Sequence, residues 1–158
     1  ADKAGYGKPL AAGRAHGIAI MEGYETYMAQ VAEISLEGSG VRVHRVTVAA
    51  DLGRMVNPDT VEAQIQSSVV FGMGSAIMQE ITIDKGRVQQ STFKEFPIVR
   101  MDESPQIDII LVESTEKPGG IGEPAVALVA PAIANAVATL TGKRVRKLPI
   151  TGDAIKQA

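Results

Sequence analysis

Cysteine is absent from the 158 residues, and tryptophan with it. Without thiols the chain forms no disulfide, offers no thiolate to a metal or an iron–sulfur cluster, and holds no cysteine nucleophile; the redox compartment is left open. Histidine is nearly as scarce, since His16 and His44 are the only two. That is too few for a histidine-built metal site, so any metal has to arrive with its own ligand. Charge of one sign is also missing. The net charge is −2, and Lys and Arg are scattered, which leaves no electrostatic footprint for nucleic acid or an anionic membrane. Nor is there a long uninterrupted hydrophobic segment. The longest run, Pro124 to Leu140, is Ala-rich, carries Pro131 and is short for a bilayer span, so it predicts a buried helix of a soluble domain. No charged segment followed by an apolar one opens the chain. Its first residue is Ala1 rather than Met, which suggests a processed chain or an excised piece of something longer.

What is present is a core-forming composition. Hydrophobic residues make up 45% of the chain, enough for one core, and residues 1–158 are expected to form a single domain. Residues 1–14, with Gly, Pro, Lys and Arg interleaved, predict an irregular lead-in. A short apolar run, Gly17 to Met21, follows. From Met28 to Leu36, Ala32, Ile34 and Leu36 alternate with Glu33 and Ser35, as a half-buried strand requires. Glu37-Gly38-Ser39-Gly40 is turn chemistry and Val41 to Ala50 is a Val-rich return strand, so a hairpin is expected. Asn57-Pro58-Asp59 is a helix start, with Asn as cap, Pro in the first turn and Asp against the positive dipole end. Val61, Ile65, Val69, Met73 and Ile77 recur every fourth residue, flanked by small Ser68, Gly72 and Ala76. Small side chains there let another backbone or a ligand approach. Asp84-Lys85-Gly86 predicts a second, minor hairpin within Ile81–Gln89, Gln90–Arg100 looks extended, and Ile107–Glu113 is a strand by β-branched content. A helix over about Pro124–Leu140, kinked or divided by Pro131 and ended by Thr141-Gly142, precedes a short strand over Val145–Thr151. The order, β-β-α-β-β-β-α-β with mostly hairpin connections, predicts an α+β fold of hairpins packed with two main helices.

The segment Lys117-Pro118-Gly119-Gly120-Ile121-Gly122-Glu123-Pro124 stands out for chemistry. Its glycines allow sharp turning and close approach to a ligand, and it leads into a helix whose dipole attracts anions. It ends in a carboxylate, however, and lacks the phosphate-loop spacing; phosphate binding is disfavoured. A Glu so placed is either an ordinary first-turn residue or a general base pressed against a substrate, and spacing alone favours the former. His44 within a strand and His16 in the Gly-rich lead-in lack partners at ligand spacing and are expected to be structural. Met73 and Met78 are expected to fill core gaps.

Several separated segments together resemble one family. Asp51-Leu52-Gly53-Arg54-Met55-Val56-Asn57-Pro58, then Val61 and Gln64, then Gly72-Met73-Gly74, and further on Gly120-Ile121-Gly122-Glu123-Pro124 are similar to the C-terminal part of the molybdopterin-binding region in the xanthine dehydrogenase and aldehyde oxidase family. Val41-Arg42-Val43-His44-Arg45-Val46 and Phe96-Pro97-Ile98-Val99-Arg100-Met101-Asp102-Glu103 look most like the isoquinoline 1-oxidoreductase beta-subunit branch. The match runs in order over nearly the whole chain, yet covers only a minor fraction of the family's large subunit.

The resemblance implies one lobe of a molybdenum-cofactor-binding domain. The metal would sit on molybdopterin, in its cytosine dinucleotide form, with no protein side chain bonded to it, in keeping with the absence of Cys. Glu123 would be the general base that takes a proton from the oxygen, derived from water, that attacks an electron-poor ring or aldehyde carbon. Gly119, Gly120 and Gly122 would bring the loop to the metal face and Ile121 would shape the same wall. Gln64 and Ser68, on a helix with Ser67 and Phe71, would face the cofactor; ordinary helix-packing polar groups are an equal expectation for both. Ser67-Ser68 stands where relatives often have Gly-Gly or Gly-Ala. The partners implied are the remainder of the large subunit, a small iron–sulfur subunit and a small-molecule substrate, with no nucleic acid. The chain alone would bind no cofactor and be inactive. The rival expectation is a non-catalytic interaction or assembly domain in which the Gly loop is merely a turn.

Overall fold

The computed structural model describes residues 1–38 and 40–158. Three long strands come first: β1 (Arg14–Gly23), β2 (Thr26–Glu37) and β3 (Gly40–Asp51). Helix α1 (Pro58–Ile77), a small hairpin of β4 (Ile83–Asp84) and β5 (Arg87–Val88), strand β6 (Gln106–Leu111), helix α2 (Pro124–Thr141) and the short α3 (Gly152–Gln157) follow. The strands β1, β2 and β3 form an antiparallel meander, and β6 joins the far side of β3 in parallel, giving the order β1-β2-β3-β6. The fold is α+β as expected, with one sheet covered by α2, which lies on β1 and β2 and against α1.

Alternation makes β2 two-faced over most of its length, with Thr26, Met28, Gln30, Ala32 and Ile34 buried and Tyr27 exposed; Val31, also buried, departs from it, and Leu36, expected on the buried face, is exposed near the strand end. A register shift at Glu33/Ile34 marks a bulge near the end of the β2–β3 pairing,. Met28, Ile34, Val46 and Val48 from the sheet meet Ile65, Val69 and Met73 of α1 and Leu128, Val129, Ile133 and Val137 of α2, each at most 2% exposed. Truncating any of the large ones to Ala is expected to cost roughly 2–5 kcal/mol. The small-sided flank of α1 does what its composition implies: a Cβ on Gly72 would press into Val129 Cγ2 at 2.7 Å, so glycine is what lets α2 approach α1.

Asn57 caps α1 as expected, its Oδ1 accepting from the Thr60 N–H at 3.2 Å, and Pro58 opens the helix. Gly142 ends α2 in the left-handed conformation, φ 72°. Helix α2 is long and apolar enough to cross a membrane, with mean hydropathy 1.6 over 18 residues, but Ala125, Ala132, Ile133, Ala136 and Val137 are fully buried against the sheet and α1, the mark of a core helix.

Several expectations are corrected. The run Gly17–Met21 is the middle of a ten-residue strand paired along its length with β2. The link between them is Tyr24-Glu25, both at positive φ (57° and 60°), a turn geometry normally built from Asn or Gly. The β4–β5 hairpin turns on Lys85-Gly86 alone and is only two residues deep on each side. Strand β6 enters in parallel, by a crossover that includes α1, rather than through a hairpin. Pro131 does not divide α2: it is exposed, and the carbonyl it leaves without a helical partner, that of Ala127, belongs to an exposed residue,. Residues 92–96 are folded into a turn rather than extended, because the Glu95 carboxylate gathers the Ser91 N–H at 2.8 Å and the Thr92 N–H at 3.2 Å,. Val145–Thr151 forms no strand. Pro149 has no N–H to give a ladder, the Ile150 N–H bonds the Ala76 carbonyl at 2.7 Å, and Thr151 instead caps α3 through its hydroxyl. In the Glu37–Gly40 turn, Ser39 lies outside the described residues.

Candidate functional site

The Gly-rich loop is fastened on three sides. The Gly119 N–H donates to the Leu52 carbonyl and the Gly120 N–H to the Tyr24 carbonyl, both at 2.7 Å. The buried Thr26 hydroxyl donates to the Gly120 carbonyl at 2.8 Å, and the Gln64 amide of α1 donates to the Gly122 carbonyl at 3.2 Å. The link after β3 closes against the same loop, with the Arg54 N–H on the Glu116 carbonyl at 3.0 Å. A Cβ at Gly119 would fall on the Glu25 carbonyl oxygen, so the closest approach this glycine permits is to the chain's own β1–β2 turn. With the Gly119 and Gly120 amides so occupied, the loop is a poor anion cradle.

These bonds set the position of Glu123, the residue immediately before α2. Its side chain makes no capping bond to the helix. Instead Glu123 Oε1 accepts from the Tyr24 hydroxyl at 2.8 Å, across 99 residues of sequence. The Tyr24 phenol is held above its ordinary value, first by that hydrogen bond, then by the carboxylate's charge, then by burial. The pair stands at the mouth of an open cavity of about 540 Å³ whose other walls include Met21, Ser67, Ser68, Phe71 and Val126. A second, apolar groove of about 700 Å³, lined by Val70, Phe93, Phe96 and Ile98, shares Ser67 and Phe71 with it.

The structure therefore gathers Gly122, Glu123 and Ser68 at one cavity, with Gln64 bonded to its rim. Gly119 and Gly120 lie behind the rim against the β1–β2 turn, and Ile121 turns inward onto the core rather than into the cavity. Tyr24, Met21 and Thr26 also belong to the site, and no motif in the sequence marks them. The one local signal was an aromatic at the tip of a hairpin, which pattern alone does not mark as functional. His44 is tied to the Ser35 hydroxyl at 2.8 Å, its pKa lowered chiefly by burial, and His16 stacks on Tyr6; neither faces this cavity. Among the described residues no cluster of three or more His, Asp or Glu could hold a metal ion.

Fold and site together define an α+β lobe with a carboxylate at an open cavity. The chain belongs to the molybdopterin cofactor-binding domain family, whose model matches residues 6–105. It is 35% identical over 140 residues to the isoquinoline 1-oxidoreductase subunit beta of Brevundimonas diminuta, covering 87% of this chain and 18% of that one. It is 34% identical over 121 residues to the aldehyde oxidoreductase molybdenum-binding subunit PaoC of Escherichia coli strain K12, covering 72% of this chain and 16% of the relative. Among solved structures, quinoline 2-oxidoreductase from Pseudomonas putida 86 superposes with a TM-score of 0.76 at 24% identity, over 84% of this chain and 18% of that one, a likeness of fold. The chain thus spans less than a fifth of the length of these relatives. The family model ends before Glu123.

Proposed function

We propose that this chain is the base-bearing lobe of a molybdenum-dependent hydroxylase that inserts oxygen from water into an N-heteroaromatic or aldehyde carbon, with Glu123 as the general base. The observation that carries this reading is the carboxylate itself: at the start of α2, free of any capping bond, and at the mouth of a 540 Å³ cavity. The residues present suit a group that brings its own metal ligands, since the cavity offers a base, two serines and apolar walls but no ligand cluster. The names of the relatives, an isoquinoline oxidoreductase and an aldehyde oxidoreductase, support the two substrate classes.

When bound, the molybdenum carried on molybdopterin, in its cytosine dinucleotide form, would supply the redox chemistry as the acceptor of electrons from the substrate. Gly122, Ser67, Ser68 and Gln64 are the residues of this chain that would face it. The Glu123 carboxylate would take the proton from the water-derived oxygen, and Met21, Phe71 and Val126 would give a flat substrate an apolar wall,. The rest of the large subunit and a small iron–sulfur subunit complete the enzyme, because no segment here can carry electrons away. In that complete enzyme, Glu123→Gln is expected to lower turnover by about 10²–10⁴-fold with molybdenum content retained. Turnover near the wild-type rate with full molybdenum would sink the base assignment. The occupied loop amides favour a second reading, a non-catalytic assembly domain in which the loop is only a structural clasp; it predicts that Glu123→Gln alters neither rate nor cofactor content.

A further inference from the structure

Glu123 is oddly placed for a residue that must act from one position. It sits where a helix usually supplies its own anchor, yet its carboxylate makes no bond to the first turn of α2, and the next residue, Pro124, has no N–H to offer. A long, exposed side chain in that setting samples several rotamers. The one side-chain hydrogen bond to it among the described residues is from Tyr24, at 2.8 Å.

Tyr24 is itself held. Its carbonyl accepts from the Gly120 N–H at 2.7 Å, and two residues on, Thr26, fully buried, ties its hydroxyl to the Gly120 carbonyl at 2.8 Å. The loop that delivers Glu123 and the turn that delivers Tyr24 are therefore one clasped unit. The backbone of Tyr24 is left-handed, φ 57°, a conformation that is uncommon for bulky residues and easy for Asn or Gly. A tyrosine in that place, 60% exposed and not needed by the core, is accounted for by what its hydroxyl touches. Of the residues lining the cavity, Tyr24 and Glu123 are the two with acidic side chains. The remaining walls are serine, apolar or glycine.

We propose that Tyr24 is a positioning residue for Glu123, its hydroxyl anchoring Oε1 so that Oε2 is presented to the cavity as the proton-accepting oxygen. The proposal rests on the reading of Glu123 as the base. The raised pKa of the Tyr24 phenol is what a donor shared with a carboxylate produces.

In the complete enzyme, Tyr24→Phe keeps the ring and removes only the hydroxyl. It is expected to lower kcat about tenfold, with KM within about twofold and molybdenum content unchanged. Because Tyr24 acts through Glu123, adding Tyr24→Phe to Glu123→Gln is expected to cause no further loss. A second readout does not depend on activity. With tyrosine labelled with carbon-13 at Cζ, the Tyr24 phenol in this chain is expected to ionise at a lower pH in Glu123→Gln than in the wild type. Wild-type kcat in Tyr24→Phe, an equal loss in both backgrounds, or a Tyr24 titration indifferent to Glu123→Gln would each overturn the proposal. If Glu123→Gln itself keeps its turnover, the base reading has failed; if it is inactive while Tyr24→Phe is unimpaired, only the positioning role has.

Discussion

At the scale of single residues, Gln30 shows how the site is underpinned. It is fully buried in β2, and its amide nitrogen donates to the Ala125 carbonyl at 2.6 Å, in the first turn of α2 just past Glu123, while its Oε1 has no partner. A buried acceptor left without a donor costs about 1–3 kcal/mol, which offsets much of what the amide contributes. Gln30→Met keeps the volume and removes both the bond and the orphan, and is expected to lie within about 1 kcal/mol of the wild type. Gln30→Ala adds a cavity and is expected to lose roughly 2–4 kcal/mol. Urea unfolding of both variants distinguishes the two terms; a Met variant as weak as the Ala one would show that the bond to α2 dominates. The glycines and proline around Glu123 marked only a carboxylate at a helix start, and the extended resemblance, not the spacing, singled it out as a candidate base. Tyr24 was not legible, since its partner lies 99 residues away and nothing in a Gly-Tyr-Glu-Thr stretch announces that the tyrosine adopts a left-handed backbone.

At the scale of elements, the contact of β1 with α2 depends on Gly17. A Cβ there would land on the Ala132 carbonyl oxygen and the Ala136 nitrogen. These are backbone atoms, which cannot rotate away, so Gly17→Ala is expected to push α2 off the sheet and cost about 1–3 kcal/mol or more, read as a lowered urea midpoint with little change in slope. On the other side of the sheet, Arg45 of β3 pairs with Asp108 of β6. The Arg45 hydrogen bond, helped by Gln106 and opposed by partial burial, holds the Asp108 carboxyl below its ordinary value. A depressed folded value means that the stabilisation is fully present above the unfolded value, about 3.9, and is lost as pH falls through the lower folded one. Asp108→Asn is therefore expected to be less stable than wild type at pH 7, with the gap closing below about pH 4. Both partners are partly solvated, at 45% and 31% side-chain exposure, so the gap at neutral pH is expected to stay under about 1 kcal/mol. An unchanged gap from pH 7 to pH 3 would refute the pairing. Strands and helices were readable because their periods differ, 2 against 3.6, and the Asn57-Pro58 start and Gly142 stop carry their own chemistry. The parallel entry of β6 was not readable, because a strand's partner is chosen by the sheet edge left free, and that information is in no local pattern.

At the scale of the whole molecule, the chain presents apolar side chains to solvent at the candidate cavity and the groove beside it: Phe71 is 67% exposed and Phe93 78%. Together with its span of less than a fifth of the relatives' length, this fits a lobe that completes its site with other segments. On that reading the isolated chain is expected to contain no molybdenum by elemental analysis and to show no aldehyde or N-heterocycle turnover, both appearing only with the rest of the large subunit; tight molybdenum retention by the chain alone would contradict it. By itself, the sequence determined the α+β class, the two main helices with their ends, and the carboxylate at the foot of a Gly-rich loop, because each depends on residues close together along the chain. Only the tertiary structure decided that β6 runs parallel to β3 and that Val145–Thr151 is not a strand. It likewise decided that Gly119 yields to a neighbouring turn and that Glu123 meets Tyr24. Each of these is a contact between distant segments, set by which backbone groups and which surfaces remain unsatisfied once the core has closed.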